Sequence, residues 1–318
     1  MTSTSGVPRP ADIQKAMAAG NFADALRAID GLLASDPHNG EALYMAAVCH
    51  RYTGQYDKAQ ACLNTLMSLP HDRGRVYQEQ GHLHVAMQQP QKALAAFANA
   101  CQLNPVLLAS WQNQHKILEA MNRPEEARQA LAQVKRLQAL PKALVAVTDL
   151  MSQGKLLKAE TLCRKFLQAN PSHVEGMRLL AELAIQFGAL EDAEYLLESA
   201  AEFAPDNIQV KIDYVGVLRK RQKFGAALAA AEALYKRQPR NPQLMSLYAI
   251  EKMQTGDYEG ALALFDAVLE LLPGDAVTLT SRGHALKTQG RQSEAIASYQ
   301  AASAANPWHG EAYYALSN

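Results

Sequence analysis

Several features are missing from this 318-residue sequence, and each absence removes a class of protein. No apolar run approaches the ~20 residues a membrane-spanning helix needs, so no membrane partner is expected. The start, Met1 to Pro10, lacks the charged and apolar regions of a signal peptide; residues 1–9 are expected to form a flexible N-terminus. Net charge is zero, with 31 basic and 31 acidic residues, which leaves no electrostatic footprint for nucleic acid. Cysteines number only four, Cys49, Cys62, Cys101 and Cys163, with no C-x-x-C pair. They read as buried apolar thiols of a reducing, cytoplasmic protein. Phosphate-cradling loops, nucleophile elbows and H-E-x-x-H are all absent. His82 and His84 are the one close histidine pair, and at i, i+2 on a helix they diverge, a poor start for a metal site. No catalytic residue, metal or cofactor is expected, and the chain is read as no enzyme.

What is present is a ladder of alanines: Ala25, Ala59, Ala93, Ala127, Ala159, Ala193, Ala227, Ala261 and Ala295, spaced 34 residues apart except for one step of 32 after Ala127. A fixed period of this length is the mark of a repeat architecture. With each alanine placed at position 20, glycine recurs at position 15 (Gly20, Gly54, Gly154, Gly188, Gly256, Gly290) and proline at position 32 (Pro37, Pro105, Pro171, Pro205, Pro239, Pro273, Pro307). Glycine can take the left-handed conformation that ends a helix. Proline cannot continue one. Positions 20, 24 and 27 share a helix face, the stripe that must be buried. Each unit is therefore helix A, a turn, helix B and a second turn.

The frame gives repeats 6–39, 40–73, 74–107, 108–139, 140–173, 174–207, 208–241, 242–275 and 276–309, with a terminal helix at 310–318. The short fourth unit predicts a change of stacking at its junction with the fifth. Pro90 and Pro124 fall in the first turn of a helix B, where proline loses no hydrogen bond. In the terminal helix Tyr313 and Leu316 are expected to cover the last full repeat. The acidic run Glu191, Asp192, Glu194, Glu198 and Glu202 reads as a solvated face.

With a small residue at position 8 (Ala47, Gly81, Ala181, Ala249, Gly283), alanine at 20, a bulky residue at 24 and proline at 32, the pattern resembles the tetratricopeptide repeat. The resemblance implies an all-α fold, an α-α superhelix in which antiparallel helix pairs over residues 10–318 wind into a right-handed solenoid. It also implies that helix A lines a concave groove. Side chains at positions 2, 5, 6, 9, 12 and 13 would then face a protein or peptide ligand. The expected contacts are Tyr44, Arg51, Gln78, His82, Gln112, Asn113 and Lys116 in repeats two to four, Arg178, Glu182, Asp213, Arg219 and Lys220 in six and seven, and Thr280 and His284 in nine. Family members that clamp a terminal carboxylate use a fixed Lys/Asn/Arg set over three consecutive repeats. Asn113 is an isolated hit to that set, so such a clamp is not expected.

Arg219-Lys220-Arg221, with Lys211 and Lys223, is the densest basic cluster; it reads as a solvated helix end, the alternative being a seat for an acidic peptide. Charge reversal of Arg178 and Arg219 is expected to weaken a partner without unfolding the chain. Asn306 to Asn318 resembles the last repeat before the catalytic domain of bacterial tetratricopeptide–sulfotransferase proteins. By that resemblance the chain would be the substrate-docking arm of such an enzyme. Self-association through the open terminal helix is a further expectation.

Overall fold

The computed structural model describes residues 10–306 and 310–317; the calls on residues 1–9, Pro307 and Asn318 lie outside them. The described residues form nineteen α-helices and no strand. Cα packing divides the chain into two compact units, Met1–Leu162 and Cys163–Asn318.

The first unit holds α1 (Pro10–Ala18), α2 (Phe22–Ser35), α3 (Gly40–Tyr52), α4 (Tyr56–Ser68), α5 (Arg73–Ala86), α6 (Pro90–Leu103), α7 (Leu108–Ala120), α8 (Pro124–Ala139) and α9 (Lys142–Ser152); the boundary falls inside α10 (Leu156–Ala169). The second holds α11 (Val174–Gln186), α12 (Leu190–Phe203), α13 (Ile208–Lys220), α14 (Phe224–Arg237), α15 (Pro242–Gln254), α16 (Tyr258–Leu271), α17 (Ala276–Thr288), α18 (Gln292–Ala305) and α19 (Gly310–Ser317). Odd-numbered helices are the A helices of the sequence frame.

All nine ladder alanines are buried, none more than 3% exposed. The reason is the close approach of A and B helices. A methyl built on Gly81 at position 8 would lie 2.6 Å from the ring of Phe97 at position 24, and one on Gly283 would run into Tyr299. Small and large residues thus alternate across the hairpin, as dense interior packing requires. Position 15 is left-handed in all nine repeats: six glycines, and also Gln88 (φ 57°), Asn122 (φ 55°) and Gln222 (φ 60°) where glycine is missing. The hairpin turn dictates that conformation whatever residue stands there.

Several A helices start from a capped turn. The side chains of Asn39, Asp72, Asn207, Asn241 and Asp275 accept from backbone amides in the first turn, each cap contributing about 1 kcal/mol. Pro90 and Pro124 open α6 and α8, as the frame requires. At the short unit α8 runs on to Ala139, and only Leu140 and Pro141 separate it from α9. Asp149 of α9 then reaches past the fourth repeat, accepting from Arg75 Nη2 at 3.1 Å and from Asn104 Nδ2 at 2.8 Å in the third.

Two sequence expectations need correction here. Tyr313 does not cover the last full repeat: it is exposed, and Ala312 and Ala315 are the buried side chains of α19, with Leu316 packed beside them. Leu43, at the same position 4 of the second repeat, clusters with Val76 and Leu83 of the repeat that follows, and Tyr313 meets no such repeat among the described residues. Glu194 is not solvated with its acidic neighbours. It is buried, accepting from Arg221 Nη1 at 2.5 Å and Lys223 Nζ at 2.7 Å. Burial works against its charge, but these two cations outweigh it and hold the carboxyl below its ordinary range.

Candidate groove of helix A side chains

Helix A side chains predicted to meet a partner divide into those engaged within the chain and those left free. In the first unit Arg51 Nε donates to Glu79 Oε1 at 2.5 Å, joining α3 to α5. Its guanidinium also lies 4.3 Å from the ring centroid of Tyr52, which stacks on Phe22. Burial pushes the Glu79 carboxyl up, against the pull of Arg51. Tyr44 is half-buried, and burial followed by the nearby Glu79 charge raises its phenol to about 12. His82 packs edge-on against Phe97; desolvation, helped by the Arg51 charge, lowers it to about 4. Asn113 donates to the Ala109 carbonyl of its own helix. Gln78 and Gln112 are half-buried, and Lys116 is exposed.

The second unit repeats the theme. Arg178 donates to Asp213 at 2.6 Å and to Glu175 at 2.6 Å, tying α11 to α13. Arg219 donates to Glu251 at 2.8 Å, tying α13 to α15. Thr280 is buried, its hydroxyl donating to the Ala276 carbonyl, so it is no groove contact. His284 Nδ1 pairs with the Tyr299 hydroxyl at 3.0 Å. Glu182 and Lys220 are exposed.

These pairings overturn two expectations. The cluster at 219–223 is no simple solvated end, because Arg219, Arg221 and Lys223 each hold a carboxylate of a neighbouring repeat. Charge reversal of Arg178 or Arg219 would bring like charges together inside the stack, and so would test folding before it tested a partner. A reversed Arg219 would face Glu251, which is 0% exposed and leaves Oε2 without a hydrogen-bond partner. Burial pushes this carboxyl up.

Glu251 and Asp149 were missed by the sequence frame, though a signal existed. Both stand at position 10 of helix A, where the first repeat carries Lys15 and the others Cys49, Leu83, Ile117, Leu183, Val217 and Ala285. An acid in an apolar register position must find a donor or neutralise.

The first unit also contains a cavity of about 1110 Å³. Its walls come from α1 (Gln14, Met17), α3 (Glu41, Tyr44, Met45), the turn into α5 and its first residues, and the end of α9 with the turn after it (Ser152, Gln153, Lys155). Only Tyr44 of the predicted contacts lines it. Arg73, the first residue of α5, and Lys155, in the turn before α10, do line it and lie outside the predicted helix A positions.

Comparison with known proteins places the whole arrangement. The family model described as the cytochrome c-type biogenesis protein H TPR domain matches residues 128–278, and two tetratricopeptide-repeat models match 16–79 and, in two copies, 74–106 and 276–307. A Haemophilus influenzae protein with the provisional name cytochrome c-type biogenesis protein CcmH is 25% identical over 127 residues, 39% of this chain. The chain spans 28% of that relative's length. Among solved structures, a tetratricopeptide repeat protein from Parabacteroides merdae aligns over 87% of this chain and 97% of its own, at 15% identity and a TM-score of 0.46. YrrB, described as a TPR protein with an unusual peptide-binding site, aligns over 70% and 98%, at 17% identity and 0.42. MamA aligns over 52% and 96%, at 16% and 0.44. Together, the 34-residue frame, the stacked helical hairpins and the family models that match across both units make this chain a tetratricopeptide-repeat protein.

Proposed function

We propose that the chain is a non-catalytic interaction scaffold that holds a peptide or an extended segment of a protein in the cavity of its first unit. The observation that carries this is the cavity itself. At about 1110 Å³ and open to solvent along one side, it has room for a length of chain. Its walls mix side-chain amides (Gln14, Gln153), which can pair with peptide groups, with the apolar Met17, Met45 and Leu103. The family match at 128–278 supports a docking role for repeats five to eight as well. Four free cysteines support work in a reducing compartment, the cytoplasm.

The test is selection of random twelve-residue peptides displayed on phage against the immobilised chain. Enrichment that disappears with Ser152→Trp, which fills the cavity from its exposed rim, is expected. Enrichment untouched by that change puts the binding surface elsewhere, and no enrichment over bare resin sinks the peptide reading.

A further inference from the structure

We infer that the peptide taken by the first-unit cavity is acidic, carrying aspartate or glutamate beside an apolar residue, with Arg73 and Lys155 as the cations that receive its carboxylates. This rests on the reading just given and adds the chemistry of the occupant.

The argument starts from which charges are already engaged. Arg51, Arg178 and Arg219, expected along helix A, are held by Glu79, by Glu175 and Asp213, and by Glu251. A guanidinium fixed in that way has little left to offer a ligand. Arg73 and Lys155 differ. Among the described residues neither has a carboxylate of the chain within ion-pair distance, and the one hydrogen bond of the Lys155 ammonium is to Gln153 Oε1 at 2.6 Å. Both are exposed, and both line the same cavity. Lys116 and Lys220 are also exposed, but they lie outside it.

Of the other charges around the cavity, Asp72 and Arg75 are paired with each other and Glu41 is held by a neutral amide. Asp72 caps the amide of Arg75, Arg75 is paired with Asp72 and Asp149, and Glu41 accepts from Gln14 at 3.2 Å. Among the lining residues the cations Arg73, Arg75 and Lys155 outnumber the carboxylates Glu41 and Asp72 by one, and Arg73 and Lys155 are the cations that no carboxylate of the chain meets. Their placement strengthens the field. Arg73 is the first residue of α5 and Lys155 immediately precedes α10, so each cation sits at the positive end of a helix dipole. Cations there are locally unfavourable, and a carboxylate at the site would relieve both helix ends. Met17, Met45 and Leu103 on the same walls call for an apolar neighbour in the ligand. They favour a peptide over a nucleic acid strand, which would present phosphate without aliphatic side chains.

The test uses the full chain and a fluorescein-labelled peptide of alternating aspartate and leucine, with a lysine–leucine peptide and an oligothymidylate as comparison probes. The aspartate peptide should bind, weaken with added salt, and lose about tenfold or more in affinity when Arg73→Glu and Lys155→Glu are combined. Both substitutions put an acid at a helix N-terminus, so the fold is retained, which circular dichroism checks. Equal binding of the lysine peptide, tighter binding of the oligothymidylate, or an unchanged affinity in the double variant would overturn the inference. Phage selection separates this failure from that of the broader reading: enriched peptides without acidic bias overturn only the acidic occupant, whereas no enrichment removes both.

Discussion

Arg51 and Glu79 form a nearly water-free ion pair between successive A helices, the guanidinium fork meeting the carboxylate at 2.5 and 3.3 Å with the Glu79 side chain 4% exposed. Arg219 and Glu251 also join successive A helices in the second unit, through a single contact at 2.8 Å. Such pairs fix how one hairpin registers on the next. They add little net stability over apolar side chains of similar size, but removing one partner strands the other in a dry site.

Arg51→Ala should therefore cost about 3 kcal/mol, and Arg51→Leu combined with Glu79→Leu should restore most of it. Urea unfolding of the single and double variants measures this. A double variant no more stable than Arg51→Ala would show that the pair does more than answer its own burial.

The left-handed turn residues give a prediction of opposite sign. Gln88 and Gln222 hold a conformation that costs a residue with a Cβ roughly 1–2 kcal/mol. Gln88→Gly and Gln222→Gly should each stabilise by about 0.5–1 kcal/mol after the extra flexibility of glycine in the unfolded chain is allowed for. Asn122→Gly should gain less, because asparagine tolerates this region. A lowered melting temperature in either glutamine variant would contradict the account.

Gly81 and Gly283 respond to volume instead. Gly81→Ala should cost about 1–3 kcal/mol by pushing on the Phe97 ring, even though alanine is the better helix former. Phe97→Leu in the same chain should recover part of the loss. Thermal unfolding of the single and double variants decides it, and a stabilised Gly81→Ala would mean that the hairpin relaxes freely.

His82 sets a pH dependence. Its folded value is lowered to about 4, so from the ordinary 6.5 downward the unfolded chain takes up a proton that the folded chain refuses. The contribution is present above about pH 6.5 and is lost as pH falls towards 4, by up to about 1.4 kcal/mol per unit. The raised carboxyls of Glu79 and Glu251 slope the other way, so the comparison must be with His82→Gln rather than with pH alone. Between pH 7 and pH 4 the wild type should lose about 2–3 kcal/mol relative to that variant. Parallel urea midpoints would show that the imidazole titrates as in water.

The architecture was legible because it is repeated. Nine alanines, six turn glycines and a recurrent proline report the same local geometry many times, so a departure such as Gln222 at a turn does not hide the frame. Side-chain allegiance was not legible. Position arithmetic put Arg178 and Arg219 on a helix face, but it could not say that Asp213 and Glu251 on the following A helix lie within 3 Å of them. Arg73 and Lys155 escaped because the family frame directs attention to the faces of helices, and they sit at the first residue of α5 and in the turn before α10.

By itself the sequence determined the hairpin, its turns and its small-against-large packing, because those depend on backbone conformation and on residues a fixed distance apart in the chain. Only the tertiary structure decided which polar side chains hold the stack together and which remain for a ligand. That choice depends on distances between residues 27 to 74 positions apart, and on how far each charge has been withdrawn from water.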